Sequence, residues 1–249
     1  MNEDPNTPNS PEQPELPVPG DMFVNQMLRT EKILGWIWLP MYLLIVPLAV
    51  EFFNYGNPGV LTEGTANLAA YGVSAVALGI IMFRFWRAGF ETFLDRPGRS
   101  IFSMLLALAV NYALSMAVTL LLYALIGEEL ENPNNAAVLD IAQTDLGTIK
   151  ATAIFLAPLV EETMFRGLIF GSIRPKHRIL AYVVSTLAFC LIHVWQYIAL
   201  TGDFSLLVYC LQYIPSAVAF AYCYERSGSI WAPILLHMLL NAMAFTVIL

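Results

Sequence analysis

An all-α, polytopic membrane helix bundle of about seven transmembrane helices is the fold the sequence predicts, and three observations predict it. Hydrophobic residues fill 58% of 249 positions and charged residues only 12%, against about 25% charged in a soluble domain. Apolar runs near the ~20 residues that cross hydrocarbon recur at about 33–53, 66–87, 101–126, 148–171, 179–201, 205–225 and 229–249. Loop charge alternates with them. Arg29 and Lys32, then Arg87, Arg96 and Arg99, then Arg174, Lys176 and Arg178, and finally Arg226 fall on one side. Glu51, Glu63, Glu128, Glu129, Glu131, Asp140, Asp145 and Asp203 fall on the other, with Lys150 its one base. The positive-inside rule then places the N-terminus in the cytoplasm and the C-terminus outside, in a multi-pass protein expected in a bacterial plasma membrane.

The elements follow in order. Residues 1–20 carry Pro5, Pro8, Pro11, Pro14, Pro17 and Pro19 among Asn, Glu and Ser, a composition of extended, solvated chain; a disordered tail is expected there, without the basic-then-apolar pattern of a secretory signal. Residues 21–32 are mixed and suggest an interfacial helix, so that 21–134 comprise this segment and three N-terminal transmembrane helices. Residues 135–249 hold the last four runs and the polar residues that carry chemistry. Thr201-Gly202-Asp203 and Arg226-Ser227-Gly228 are short enough to make tight helical hairpins. Asp140–Gln143, in an outer loop, reads as a structural piece, either amphipathic or re-entrant. Trp36, Trp38, Trp86 and Trp231 near run ends suit an aromatic belt.

Several function classes drop out. The net charge of −7 comes mostly from the tail and loops, and no basic patch points to nucleic acid. Cys190, Cys210 and Cys223 lie inside apolar runs without CxxC spacing, which disfavours a disulfide framework or zinc ribbon. Neither Gly-x-Ser-x-Gly nor His-Glu-x-x-His occurs, which disfavours serine hydrolases of that type and ordinary zincins.

A charge deep in a membrane helix costs about 2.5–3.5 kcal/mol on insertion scales and needs a partner or a function. Glu51, Arg84, Lys150 and Glu225 are near run ends and can snorkel. The fourth run instead places Glu161, Glu162 and Arg166 in its middle and inner half. Adjacent helical positions diverge by about 100°, so the two glutamates cannot share one wall. Glu162 and Arg166, i and i+4, are set to pair, which leaves Glu161 as the free carboxylate. Of three histidines, His177 sits in a basic loop, whereas His193 and His237 lie inside the fifth and seventh runs. His237 and Asn241 share a helix face. A carboxylate in an apolar setting suits a general base; His193 could help polarise water, and His237 with Asn241 could donate to an oxyanion.

In this order on successive membrane segments, Glu161-Glu162-x-x-x-Arg166, Phe189-x-x-x-His193 and His237-x-x-x-Asn241 resemble the CAAX-processing and bacteriocin-immunity (Abi, CPBP) family, as does Gly228-Ser229-Ile230-Trp231 before His237. The resemblance covers about residues 135–249 and implies an intramembrane endopeptidase. In it Glu161 and His193 would activate water, His237 and Asn241 would stabilise the oxyanion, and Glu162 and Arg166 would support them. Eukaryotic members remove the last three residues after a prenylated cysteine. Members have been described as metal-dependent and as metal-free. Zinc on Glu161, His193 and His237 is the alternative, but Asn is a poor zinc ligand, so no cofactor is expected.

The expected partners are membrane lipid and a protein or peptide substrate, lipidated or not, with no nucleic acid. Two other readings stay open: a non-catalytic membrane scaffold or bacteriocin-immunity factor, and a proton-coupled transporter built on buried Glu and His, for which no internal repeat speaks. Helix rise places His193 deeper from its run's inner end than Glu161 or His237, so the fifth helix is expected to start late, near Tyr182, or to tilt.

Overall fold

The computed structural model describes residues 23–127 and 130–248; the proline-rich tail expected over 1–20 lies outside the described residues. No strand occurs among those described, and the protein is an all-α bundle. Helix α1 (Arg29–Gly56) contains a π-helical turn, Met41–Ile45, just before Pro47, where a missing N–H and the ring's bulk disturb the regular ladder. Helix α2 (Glu63–Ile81) starts at Thr62, whose hydroxyl accepts from Thr65 N at 3.1 Å. It breaks at Met82 (φ −108°, ψ 18°) into α3 (Phe83–Asp95), so the run expected over 66–87 bends near its inner end. Helix α4 (Pro97–Ile126) opens on proline and closes on left-handed Gly127 (φ 83°), a fit to the residue preferences of helix ends.

Helix α5 (Pro133–Thr144) is capped by Asn132. Its Ile141 and Ala142 pack with Ile149 and Phe245, so the Asp140–Gln143 segment is one turn of an amphipathic helix seated on the bundle. Helix α6 (residues 146–173) runs through two π-helical stretches, Ala151–Leu156 and Thr163–Phe170. Helix α7 (Arg178–Ile192) and helix α8 (Trp195–Thr201) are bent by 49° across His193 and Val194. Helix α9 (Phe204–Ser227) begins with a 3₁₀ turn, and α10 (Trp231–Ile248) ends the described chain. Gly202 (φ 71°) and Gly228 (φ 74°) make the short reversals α8–α9 and α9–α10.

All seven apolar runs are helical. Among the described residues four helices, α1, α2, α4 and α9, are long and apolar enough to cross a membrane, and α7 with α8 makes a fifth if the bent pair is one span. Helix α10 is apolar but shorter, and α6 is interrupted by charge. Phe52, Ile80, Leu125 and other large apolar side chains face outward, as lipid contact requires. The chain is an integral membrane protein.

Helix α6 is the axis of the bundle: every residue from Val160 to Gly171 is buried, so neighbours cover it on all sides. Gly167 permits a close approach, since a Cβ there would lie 2.8 Å from Phe85 Cε1. Ser185 Oγ of α7 donates to Phe165 O at 2.9 Å, and Trp86 Nε1 of α3 donates to Thr163 Oγ1 at 2.9 Å. Trp231 Nε1 donates to Trp86 O at 2.8 Å, so these two indoles tie helices together.

Two further expectations change. Phe23–Leu28 is not helical; it packs against the bundle, with Phe23 edge-on to Phe170 and Tyr224 and Asn25 Nδ2 donating to Gly171 O at 2.6 Å. Buried Glu31 accepts from Leu28 N at 2.8 Å and Phe85 N at 2.9 Å, so one carboxylate caps two helix starts. Glu225 does not snorkel: it is held by Arg174, by Arg178 through Nε (2.8 Å) and Nη2 (2.9 Å), and by Tyr182 OH at 2.8 Å. These ties fasten α6 and α7 to α9.

Candidate active site

Helix α6 presents Glu161 and Glu162 at the junction between its short α-helical turn and the second π-helical stretch. Both are buried, and they point to different neighbours. Glu161 Oε1 accepts from Tyr71 OH of α2 at 2.9 Å. Glu162 Oε1 accepts from Arg166 Nη1 at 3.1 Å, the i, i+4 pair that helix spacing predicts. The same oxygen lies 2.9 Å from His237 Nδ1 of α10. The sequence-based expectation that the imidazoles meet Glu161 is therefore revised: the hydrogen bond from α10 goes to Glu162, because the angular offset of adjacent helical residues turns one carboxylate toward α2 and the other toward α10. Glu161 and His237 remain close enough to interact electrostatically.

Arg166 is fully buried. Its Nη2 donates to Ala217 O at 3.0 Å, and its guanidinium carbon stands 4.2 Å from the Phe189 ring centroid and 5.2 Å from that of Phe220. The His237 ring stacks on Phe220 at 4.5 Å. Aromatic faces thus line the cation–carboxylate–imidazole group.

His193 sits at the bend between α7 and α8. The helix begins at Arg178 and not near Tyr182; the irregularity lies at its far end, where His193 and Val194 break the ladder. Its Nδ1 is 2.8 Å from Phe189 O. A carbonyl only accepts, so Nδ1 carries the proton and the neutral ring offers Nε2 as an acceptor. The ring stacks on Tyr213 at 4.2 Å and lies 4.8 Å from Phe189, turned to α9 and not to lipid. Phe189 also touches His237 at 6.0 Å, so one phenylalanine contacts both histidines. Tyr213 OH in turn donates to Asn132 Oδ1 at 3.0 Å.

Asn241 follows His237 by one turn, and its Nδ2 donates to Ala153 O at 2.7 Å. An amide nitrogen has two hydrogens, so one such bond leaves a donor for another acceptor. The arrangement gathers Glu162, Arg166 and His237 by direct contact and His193 across Phe189, with Glu161 beside them. For zinc, among the described residues no group of three or more His, Cys, Asp or Glu side chains is placed to hold a metal ion. Each histidine is engaged at Nδ1, by Phe189 O or Glu162, which leaves Nε2 as the nitrogen a metal would take.

Residues 148–243 match the family described as Type II CAAX prenyl endopeptidase Rce1-like. This part of the chain is similar to the CAAX-protease family. The family segment contains Glu161, Glu162, Arg166, His193, His237 and Asn241. The chain is also similar to "Putative membrane peptidase YdiL" of Bacillus subtilis (strain 168), 31% identical over 120 residues, which are 48% of this chain and 44% of that protein. The shared stretch thus spans less than half of that relative. No solved structure matches the chain.

Tyr71 and Tyr213 have no place in the sequence motifs. Tyr71 lies on α2, outside the family segment. The available signal is faint: a phenol midway along an apolar run, whose hydroxyl needs a partner when buried.

Proposed function

We propose that the chain is an intramembrane endopeptidase that hydrolyses peptide bonds in a CAAX-like protein or peptide. The observation that carries this reading is the buried pair Glu161–Glu162 on the central helix, with His237 hydrogen-bonded to the second carboxylate and His193 one aromatic ring away. Stranded charge of this kind in a membrane helix is costly without a function.

In this mechanism Glu161 is the general base and His193, through Nε2, shares polarisation of the attacking water. The water oxygen bonds to the substrate carbonyl carbon and its proton passes to Glu161. His237 holds Nδ1–H on Glu162; in its protonated form its Nε2–H donates to the developing oxyanion, while Glu162 balances the charge. Asn241 supplies a second donor. Collapse of the tetrahedral intermediate breaks the C–N bond, and the proton on Glu161 goes to the leaving amine. Glu162 and Arg166 keep the imidazole in place. The N-terminus faces the cytoplasm and the substrate, prenylated or not, enters from lipid.

The test is incubation of purified wild type and Glu161→Gln in detergent with a mixed peptide panel, read by mass spectrometry with and without chelator. The wild type should cut and the variant should lose about 10²–10⁴ in rate, the usual share of a general base, while melting as the wild type does. Loss of cleavage with chelator would favour the zinc alternative. An unchanged cellular phenotype in the variant would favour a scaffold or immunity factor.

A further inference from the structure

The Glu161 carboxylate is not held by its own helix or by the family segment. Its identified hydrogen-bond partner is Tyr71 OH, at 2.9 Å, from the middle of α2. Tyr71 is itself braced: the Tyr42 ring meets it edge-on at 6.1 Å between centroids. Tyr42 is buried and belongs to the π-helical turn of α1. A π turn rotates the side chains that follow it relative to a regular helix, and the phenol that this turn carries points inward among otherwise outward-facing apolar residues.

We infer that Tyr71, backed by Tyr42, is the positioning residue for Glu161, so that the N-terminal helices complete the catalytic centre instead of only surrounding it. The inference rests on the peptidase reading. A carboxylate has two oxygens and free rotation about its last bond; one fixed donor on Oε1 restricts that rotation and leaves Oε2 to face the water. Hydrogen bonds to a charged acceptor are the strong kind, and supporting partners of this sort hold reactive groups in productive geometry.

Tyr71→Phe removes one oxygen and keeps the ring. With the peptide cut by the wild type, kcat should fall about 10-fold or more, as loss of a charge-assisted hydrogen bond implies, with KM unchanged and an unaltered melting temperature. Tyr42→Phe should produce a smaller fall of the same type. Infrared difference spectra, wild type minus Glu161→Gln, give a readout that a merely structural tyrosine would not move: the carboxylate band of Glu161 should shift in Tyr71→Phe. Wild-type kcat together with an unshifted band in Tyr71→Phe overturns the inference and leaves the peptidase reading standing. Absence of Glu161-dependent cleavage in the wild type overturns the peptidase reading, and this role with it. A fall in kcat only in step with a loss of folded protein, with the band unshifted, also overturns it.

Discussion

Oε1 of Glu162 stands between two donors, His237 Nδ1 at 2.9 Å and Arg166 Nη1 at 3.1 Å, so a single carboxylate oxygen joins the central helix to the last one. Its neighbour Glu161 is turned away to α2. The pair divides its work by direction: one glutamate ties the site together, and the other is aimed from outside the family segment.

Arg166 should be the least replaceable of these residues. Removing one partner of a buried ion pair leaves the other charge uncompensated, at a cost of about 3–5 kcal/mol. Arg166→Ala should therefore lower the melting temperature in detergent, measured by thermal shift, and abolish cleavage. Arg166→Lys should also fail in part, because one ammonium lacks the fork that reaches Glu162 and Ala217 O together.

Asn241 separates a structural tie from a catalytic donor. If its bond to Ala153 O were its whole contribution, Asn241→Ala would cost about 1 kcal/mol of stability and little else. As an oxyanion donor it should lose about 10²–10³ in kcat with KM near that of the wild type. Steady-state kinetics on the peptide substrate decide between them.

Gly167 tests how tightly α6 is enclosed. A Cβ there would stand 2.8 Å from Phe85 Cε1 and 3.3 Å from Met27 Cε. Gly167→Ala should destabilise the protein by about 1–3 kcal/mol, the range for overpacking a filled core. Shortening Phe85 to Leu in the same chain should recover part of the loss, measured by thermal shift of the single and double variants.

The amino-acid sequence by itself determined the class of this protein and singled out most residues of the candidate site. Runs of apolar residues, basic loops between alternate runs and a scarcity of charge mark helices in lipid, because an unpaired backbone or a charge cannot be left in hydrocarbon. The same scarcity makes Glu161, Glu162, Arg166, His193 and His237 stand out, and the i, i+4 spacing of Glu162 and Arg166 is a local property that survives folding. Which carboxylate meets which partner was decided only by tertiary structure. It depends on how α2 and α10 pack around α6, on π-helical turns that alter the angular register, and on the bend at His193, none of which has a periodic signal. Tyr71 is the clearest case: as a phenol in an apolar run it looks like an ordinary core residue, and only the approach of α2 to α6 brings its hydroxyl to Glu161.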